Sequence, residues 1–264
     1  TLLYNSGSTY GRGSEWSATS GAGYPNNVQI SNSTILNLGA NSGTVSARQL
    51  AGNLTVDALS SLTMNASGEA MTASLTVKGN YINNGTTTLS GSIRGDLALE
   101  CNLTDNNVFT ANGRAIFFRG GNTQSITSNS NPLDIDVVRM EKTGGEVLLL
   151  QNLLIDETAD PIKFEGTSST LNLNGFTATF GKAATASTIT MNSTSAIKGS
   201  STSSLIILGT GAAGTIRFDQ TTPGTTNLCD PHHICPLSKP LGKDQFRIDT
   251  HALCHLNIPV YFHF

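Results

Sequence analysis

The tetrapeptide NLTV at residues 53–56 returns as SLTV at residues 74–77 and as DLAL at residues 96–99. Successive copies begin 21 and 22 residues apart. A fixed period of about 20 to 25 residues is typical of stacked repeats, each too small to bury its own apolar face. The alternation of apolar and polar residues places both apolar side chains on one side of an extended strand. The sequence therefore predicts an all-β fold in which strands and turns form a β-solenoid.

The same alternation continues over residues 28–218, where glycine and asparagine-glycine pairs interrupt it. Such residues supply the positive φ angles that tight turns need. No stretch of ten or more residues shows a capped helical pattern. With roughly 20 residues per coil, this span predicts about nine or ten coils.

The composition excludes several classes of protein. Hydrophobic residues make up 38% of the 264 residues, charged residues make up 12%, and the formal net charge is −3. Disordered chains combine low hydrophobicity with high net charge, so the chain is expected to fold. It contains no basic cluster, and nucleic acid is therefore not an expected partner.

No apolar run reaches the length of a membrane-spanning helix, and no membrane span is expected. The longest apolar runs, such as VLLL at residues 147–150, have the length of a strand. The chain begins TLLY, without a methionine or a charged leader, as a processed mature protein would.

Residues 1–27 differ from the repeats and hold the only tryptophan and three of the five tyrosines. The open end of a solenoid needs a cover, so these aromatic residues predict an N-terminal cap. The alternative is a carbohydrate-binding platform, because aromatic rings stack well on sugar rings. The residues of that platform would be Tyr10, Trp16 and Tyr24.

Residues 228–264 form an atypical tail after the repeats of residues 28–227. The tail holds all five histidines, three of the four cysteines and four of the eight prolines. This tail is either native, the product of a shifted reading frame, or a terminal segment of foreign sequence. Zinc prefers four nitrogen or sulfur ligands, so the tail is a candidate zinc site. The alternatives to zinc binding are a disulfide between Cys229 and Cys235, or unpaired thiols. The candidate zinc ligands are Cys229, His232 or His233, Cys235, His251, Cys254 and His255.

Four phrases carry a resemblance to a known family: LTVKGNYINNGT (75–86), VFTANGRAIFFRGGNTQSIT (108–127), VVRMEKTGGEVLLLQNLLI (137–155) and STLNLNGFTATFG (169–181). The sequence pattern of residues 16–227 resembles that of secreted repeat proteins of the Bacteroidota cell surface. That resemblance implies a right-handed parallel β-helix, an adhesin-like role and an extracellular location on a bacterial surface. The tail does not match.

Acidic residues provide the candidate catalytic site, Asp134 and Asp136, which alternate within one strand. Their carboxylates are expected on the same side, about 7 Å apart. Such a pair can act as general acid and base in polysaccharide hydrolysis or lysis, or can bind Ca²⁺. The interpretation favoured here is an ordinary solvated strand face without a cofactor. Asp156, Glu157 and Asp160 follow about one coil later, and Arg139 and Lys142 are the expected basic partners.

Ice binding also uses threonine-rich solenoid faces and requires Thr-x-Thr at one position of successive coils. The motif occurs at residues 86–88, 177–179 and 188–190. These spacings do not place the three motifs in register, so the sequence does not favour this function.

The sequence thus predicts a non-enzymatic extracellular structural or adhesive protein that self-associates into filaments or binds neighbouring surface proteins. A carbohydrate-active β-helix enzyme and a carbohydrate-binding module are the alternatives, with polysaccharide as the partner.

Overall fold

The computed structural model describes residues 1–40, 46–156, 160–182, 188–200, 202–209, 214 and 216–218, and the backbone of 245–249. The chain is all-β and forms a parallel β-solenoid of about eight turns. Two compact units make up the chain, Thr1–Arg119 with Thr127–Ser130, and Gly120–Ile126 with Asn131–Phe264. The solenoid predicted from the repeats is therefore confirmed, with fewer turns than the nine or ten expected.

The first unit contains three parallel sheets, A, B and C. Sheet A contains β1 (Leu2–Tyr4), β3 (Val28–Ile30), β6 (Leu54–Val56), β9 (Tyr81–Asn83) and β12 (Leu103–Asp105). Sheet B contains β2 (Thr9–Gly11), β4 (Ile35–Asn37), β7 (Ser61–Thr63), β10 (Thr86–Thr88) and β13 (Val108–Thr110). Sheet C contains β5 (Arg48–Leu50), β8 (Leu75–Val77), β11 (Leu97–Leu99) and β14 (Ala115–Gly120).

The second unit also has three sheets, here called A′, C′ and D. Sheet A′ contains β15 (Gln124–Ser128), β18 (Glu146–Leu149), β21 (Thr170–Asn172) and β24 (Ala196–Lys198). Sheet C′ contains β17 (Val137–Lys142), β20 (Ile162–Phe164) and β23 (Thr190–Met191). Sheet D contains β16 (Leu133–Ile135), β19 (Leu153–Ile155), β22 (Thr177–Phe180), β25 (Ser204–Leu208) and β26 (Gln245–Asp249), and β26 pairs antiparallel with β25.

The strand register shows which repeats stack. Leu75 of β8 pairs with Leu97 of β11, so the 22-residue spacing between them is the length of one coil. Leu54 of β6 instead pairs with Val28 on one side and with Tyr81 on the other. Tyr81 lies 27 residues after Leu54. The first two copies of the tetrapeptide therefore lie in different sheets. Coils longer than 20 residues explain why there are fewer turns than expected.

The core is a column of inward-facing side chains from the sheets of each unit. In sheet A, Val28, Leu54, Tyr81 and Leu103 occupy equivalent positions and are at most 1% exposed. Full burial of such a side chain contributes roughly 1.5–3 kcal/mol. The Tyr81 hydroxyl is hydrogen-bonded to the hydroxyl of Thr87, so its polar end is satisfied inside the column.

A ladder of asparagine side chains runs beside sheet A. Asn27 Oδ1 accepts the backbone N–H of Asn53 at 2.8 Å, and Asn53 Oδ1 accepts that of Asn80 at 2.8 Å. Asn80 Oδ1 continues the pattern by accepting the N–H of Asn102 at 3.3 Å. Each bond joins one coil to the next just before a sheet A strand begins, which helps to fix the register of the stack.

The segment predicted as a cap contains strands β1 and β2, which pair in parallel with β3 and β4. The stack therefore begins inside residues 1–27. Within the described part of the chain, no helix has the length and apolar character needed to cross a membrane.

Candidate functional site

The acidic residues predicted from the sequence form a cluster on sheet D. Asp134 is the outward-facing middle residue of β16, and Asp136 follows that strand directly. Because Ile135 pairs with Ile155, the next residues, Asp136 and Asp156, lie side by side on neighbouring coils. One carboxylate oxygen from each of the three aspartates lies within 4.8 Å of the others. The three are called the acidic cluster below.

Burial and neighbouring charges both act on the acidic cluster. Lys182 Nζ lies 3.1 Å from Asp156 Oδ2 and supplies a positive charge from the next coil. Partial burial, followed by the charges of Asp156 and Asp136, raises the pKa of Asp134, and Lys182 opposes this effect. Asp134 is solvent-exposed, so water screens part of the repulsion.

The arrangement permits two kinds of chemistry. Carboxylate oxygens are the ligands that Ca²⁺ prefers, although it takes six to eight of them and the acidic cluster provides three side chains. Two carboxyl groups, one of them with a raised pKa, are also the groups that glycoside hydrolysis uses. Exposed acidic groups also occur commonly on strand faces without either role.

The basic partners expected from the sequence lie elsewhere. Lys142 is fully buried, and its Nζ donates to Asn122 O at 2.5 Å and to Gln124 Oε1 at 2.7 Å. Arg139 donates from Nη1 to the backbone carbonyl of Asp160 at 2.9 Å. The expectation that Lys142 completes the site is wrong, because its amine is directed into the interior of the coil.

The other acidic residues have separate positions. Asp160 forms an ion pair with Lys163 at 2.9 Å, and Glu157 lies outside the described residues. Lys182, which sequence reasoning missed, comes two residues after β22. Its only sequence signal was its position one coil after Asp156, and that position requires the correct register.

The aromatic residues of the predicted platform have different environments. Trp16 is fully buried, and its Nε1 donates to the carbonyl of Gln49 at 2.9 Å, so protein covers its ring. Tyr24 is half-buried and its hydroxyl accepts from Gln49 Nε2 at 3.2 Å. Tyr10 is 40% exposed and its ring centroid lies 5.5 Å from that of Tyr4. Tyr10 is the most exposed of the three, and Tyr4 packs against its ring.

The candidate zinc ligands Cys229, His232, Cys235, His251, Cys254 and His255, together with His233, lie outside the described residues.

Comparison of the chain with protein-family models, with curated proteins and with solved structures gives no significant match.

Proposed function

We propose that this protein is a non-enzymatic structural or adhesive repeat protein of the bacterial cell surface. The supporting observation is that the coils between Asn27 and Asn102 repeat the same contacts with one another, through the asparagine ladder and the strand register. A chain built this way extends by adding coils, and its outer faces remain available for contacts. The resemblance of residues 16–227 to secreted Bacteroidota repeats supports the extracellular location.

Self-association into filaments is part of this proposal, and β1 supports it. Among the described strands, β1 is the last in the order of sheet A, and its middle residue, Leu3, is 52% exposed. The N–H of Leu2 and the C=O of Tyr4 bond to the β3 side. Because these groups alternate in direction along a strand, the N–H and C=O of Leu3 point to the outer edge. An apolar edge strand of this kind invites pairing with another chain.

The experiment compares the wild-type chain with Leu3→Pro by sedimentation velocity and electron microscopy over a range of concentrations. Proline removes the outward N–H but leaves the bonds to β3. We expect the wild type to form larger species as concentration rises and Leu3→Pro to form fewer of them. A wild type that stays a single monodisperse species at high concentration contradicts the filament proposal.

A carbohydrate-active enzyme is the second candidate, and the raised pKa of Asp134 within the acidic cluster favours it. Assays with acidic and neutral polysaccharides, repeated with Asp134→Ala and Asp136→Ala, separate the two functions. Turnover that either substitution abolishes supports the enzyme. No turnover, or turnover that both variants retain, leaves the structural role.

A further inference from the structure

The strand β26, which belongs to the tail after the repeats, lies along the outer edge of β25 in sheet D. It pairs antiparallel with all five residues of β25, from Ser204 opposite Asp249 to Leu208 opposite Gln245. An antiparallel neighbour bonds to the N–H and C=O groups that β25 directs away from β22. β26 therefore covers an edge at which β25 would otherwise be open.

The direction of β26 shows that it is not the first strand of another coil. The pairings of β16 with β19, of β19 with β22 and of β22 with β25 are all parallel. Parallel pairing is expected of a solenoid, because the chain passes each position once per coil and always in the same direction. A further coil cannot pair with β25 in this way while β26 lies there. Within sheet D, β26 thus ends the stack as a cap.

The sequence of β25 explains why its edge needs a cover. It reads SLIIL at residues 204–208, with four apolar residues and neither a charge nor a proline. An uncovered edge strand of this composition is prone to pair with another chain. β26 reads QFRID at residues 245–249, so the strand that forms the new edge contains an arginine and an aspartate. Charged residues are a usual means of preventing further pairing at an edge.

The connection between the two strands is long. Residues 209–244, which number 36, separate β25 from β26, whereas the loop of a tight hairpin has two to five residues. Closing a longer loop costs more chain entropy. No tight turn therefore holds β26 in place, and its attachment depends on the five residue pairs with β25.

We propose that β26 is a detachable cap, and that the edge of β25 pairs with the same edge of a second copy of this chain when β26 leaves. The position of β26 shows that this edge accepts an antiparallel strand. Two identical strands related by a two-fold axis pair in that direction. The product is a closed dimer, because each copy then has its β25 edge covered by the other. This inference goes beyond the structural role and does not depend on the pairing proposed for β1.

The first part of the test asks whether β26 lies on the β25 of its own chain. Ile206→Cys with Arg247→Cys places two cysteines at directly opposite positions, which a disulfide can join. Ile206→Cys with Gln245→Cys is the matched control, because Gln245 is displaced by two residues along the same strand. Both pairs are made in a background whose four native cysteines are alanine. We expect mild oxidation to join the first pair within one chain and to leave the control pair reduced.

The second part releases β26 and measures the mass of the particles by sedimentation velocity. Phe246→Pro with Arg247→Pro removes two successive N–H groups, and one of them points to β25 because neighbouring N–H groups alternate in direction. Phe246→Ala with Arg247→Ala keeps both N–H groups and is the matched control. All variants of this second part also carry Leu3→Pro, so that pairing at β1 does not contribute. Circular dichroism establishes that the variants are folded.

We expect the proline variant to shift from monomer to dimer at concentrations at which the alanine variant and the disulfide-joined chain stay monomeric. If the proline variant does not fold, Arg247→Pro with Ile248→Pro gives the same dimer. A folded proline variant that stays monomeric overturns the proposal, as does equal association of the alanine variant. A disulfide that forms only between chains, or growth of the proline variant beyond a dimer, also overturns it.

Discussion

Asn53 occupies a middle position in the asparagine ladder, where its side chain accepts the N–H of Asn80 at 2.8 Å. Asn53→Ala removes this acceptor, and we expect a loss of about 0.5–1.5 kcal/mol in the free energy of unfolding. Asn53→Asp keeps an acceptor oxygen and is expected to remain closer to the wild type. Urea denaturation measures both variants. Equal losses in the two would mean that the ladder bond does not contribute.

Trp16 is the only tryptophan of the chain and is fully buried. Trp16→Ala is therefore expected to cost about 3–5 kcal/mol of stability, as large cavities do. Tyr24→Ala should cost less, because Tyr24 is half-buried. Thermal unfolding followed by circular dichroism compares them. Unchanged stability of Trp16→Ala together with lost sugar binding would instead support the carbohydrate platform.

Asp134 predicts a pH-dependent stability. Its raised pKa means that the folded state binds the proton more tightly than the unfolded state does. As the pH rises through the folded-state pKa, Asp134 ionises in a partly buried position beside Asp156 and Asp136, and the folded state loses stability. We therefore expect Asp134→Asn to unfold at a higher temperature than the wild type at pH 7. The gain should disappear below pH 3.8, the ordinary pKa of an aspartate, where the carboxyl is protonated in both states.

A matched control for this prediction is Asp160→Asn. Asp160 is paired with Lys163 at 2.9 Å, so its removal relieves no repulsion and is not expected to raise the unfolding temperature. Thermal unfolding of both variants between pH 3 and pH 8 provides the comparison. A lower unfolding temperature for Asp134→Asn at pH 7 would show that attraction to Lys182 outweighs the repulsion.

At the scale of single strands, the sequence predicts element type well because alternation alone marks an outward and an inward side. The repeat correctly predicts that Leu75 and Leu97 are equivalent residues. It wrongly predicts the same of Leu54, because the LTV pattern fits sheet A and sheet C equally well. A local pattern specifies that a strand has an apolar side but does not specify which of three sheets the strand joins.

The acidic cluster shows the same limit of prediction from a local sequence pattern. Asp134 and Asp136 are close in the chain, so the sequence placed them together correctly. Asp156 and Lys182 join them only through the register of sheet D, since each follows a different strand of that sheet. Asp156 follows Asp136 by 20 residues, as the approximate period predicts, but Lys182 follows Asp156 by 26 residues, and a fixed repeat length therefore does not identify it.

Glycine makes close stacking of turns possible between β8 and β9. Gly79 donates its N–H to Gly52 O at 2.8 Å, and an added Cβ would overlap the backbone of Gly52. We expect Gly79→Ala to cost about 1–3 kcal/mol, because the turn must move away from the coil beneath it. Gly91→Ala is the control, since its Cβ would meet only the Asn65 side chain at 3.2 Å. Equal unfolding free energies of the two variants in urea would contradict this explanation.

At the scale of the whole stack, each coil of the first unit is held by the coils next to it. Stability in such a fold is a sum over neighbouring coils, so the terminal coil is expected to open more often than a central coil. Two amides test this directly. The N–H of Leu2 donates to Asn27 O at 2.7 Å, and that of Leu54 donates to Asn80 O at 3.0 Å.

Each amide belongs to the first residue of a sheet A strand and donates to the carbonyl of the equivalent asparagine. The two amides therefore differ mainly in their position along the stack. In native-state hydrogen exchange we expect the Leu2 amide to exchange faster than the Leu54 amide, in spite of its shorter bond. Adding denaturant at low concentrations should reduce the difference between the two exchange rates, because global unfolding then exposes both amides. Equal protection in water would mean that the first unit opens as one cooperative body, and the coil-by-coil description of its stability would then be wrong.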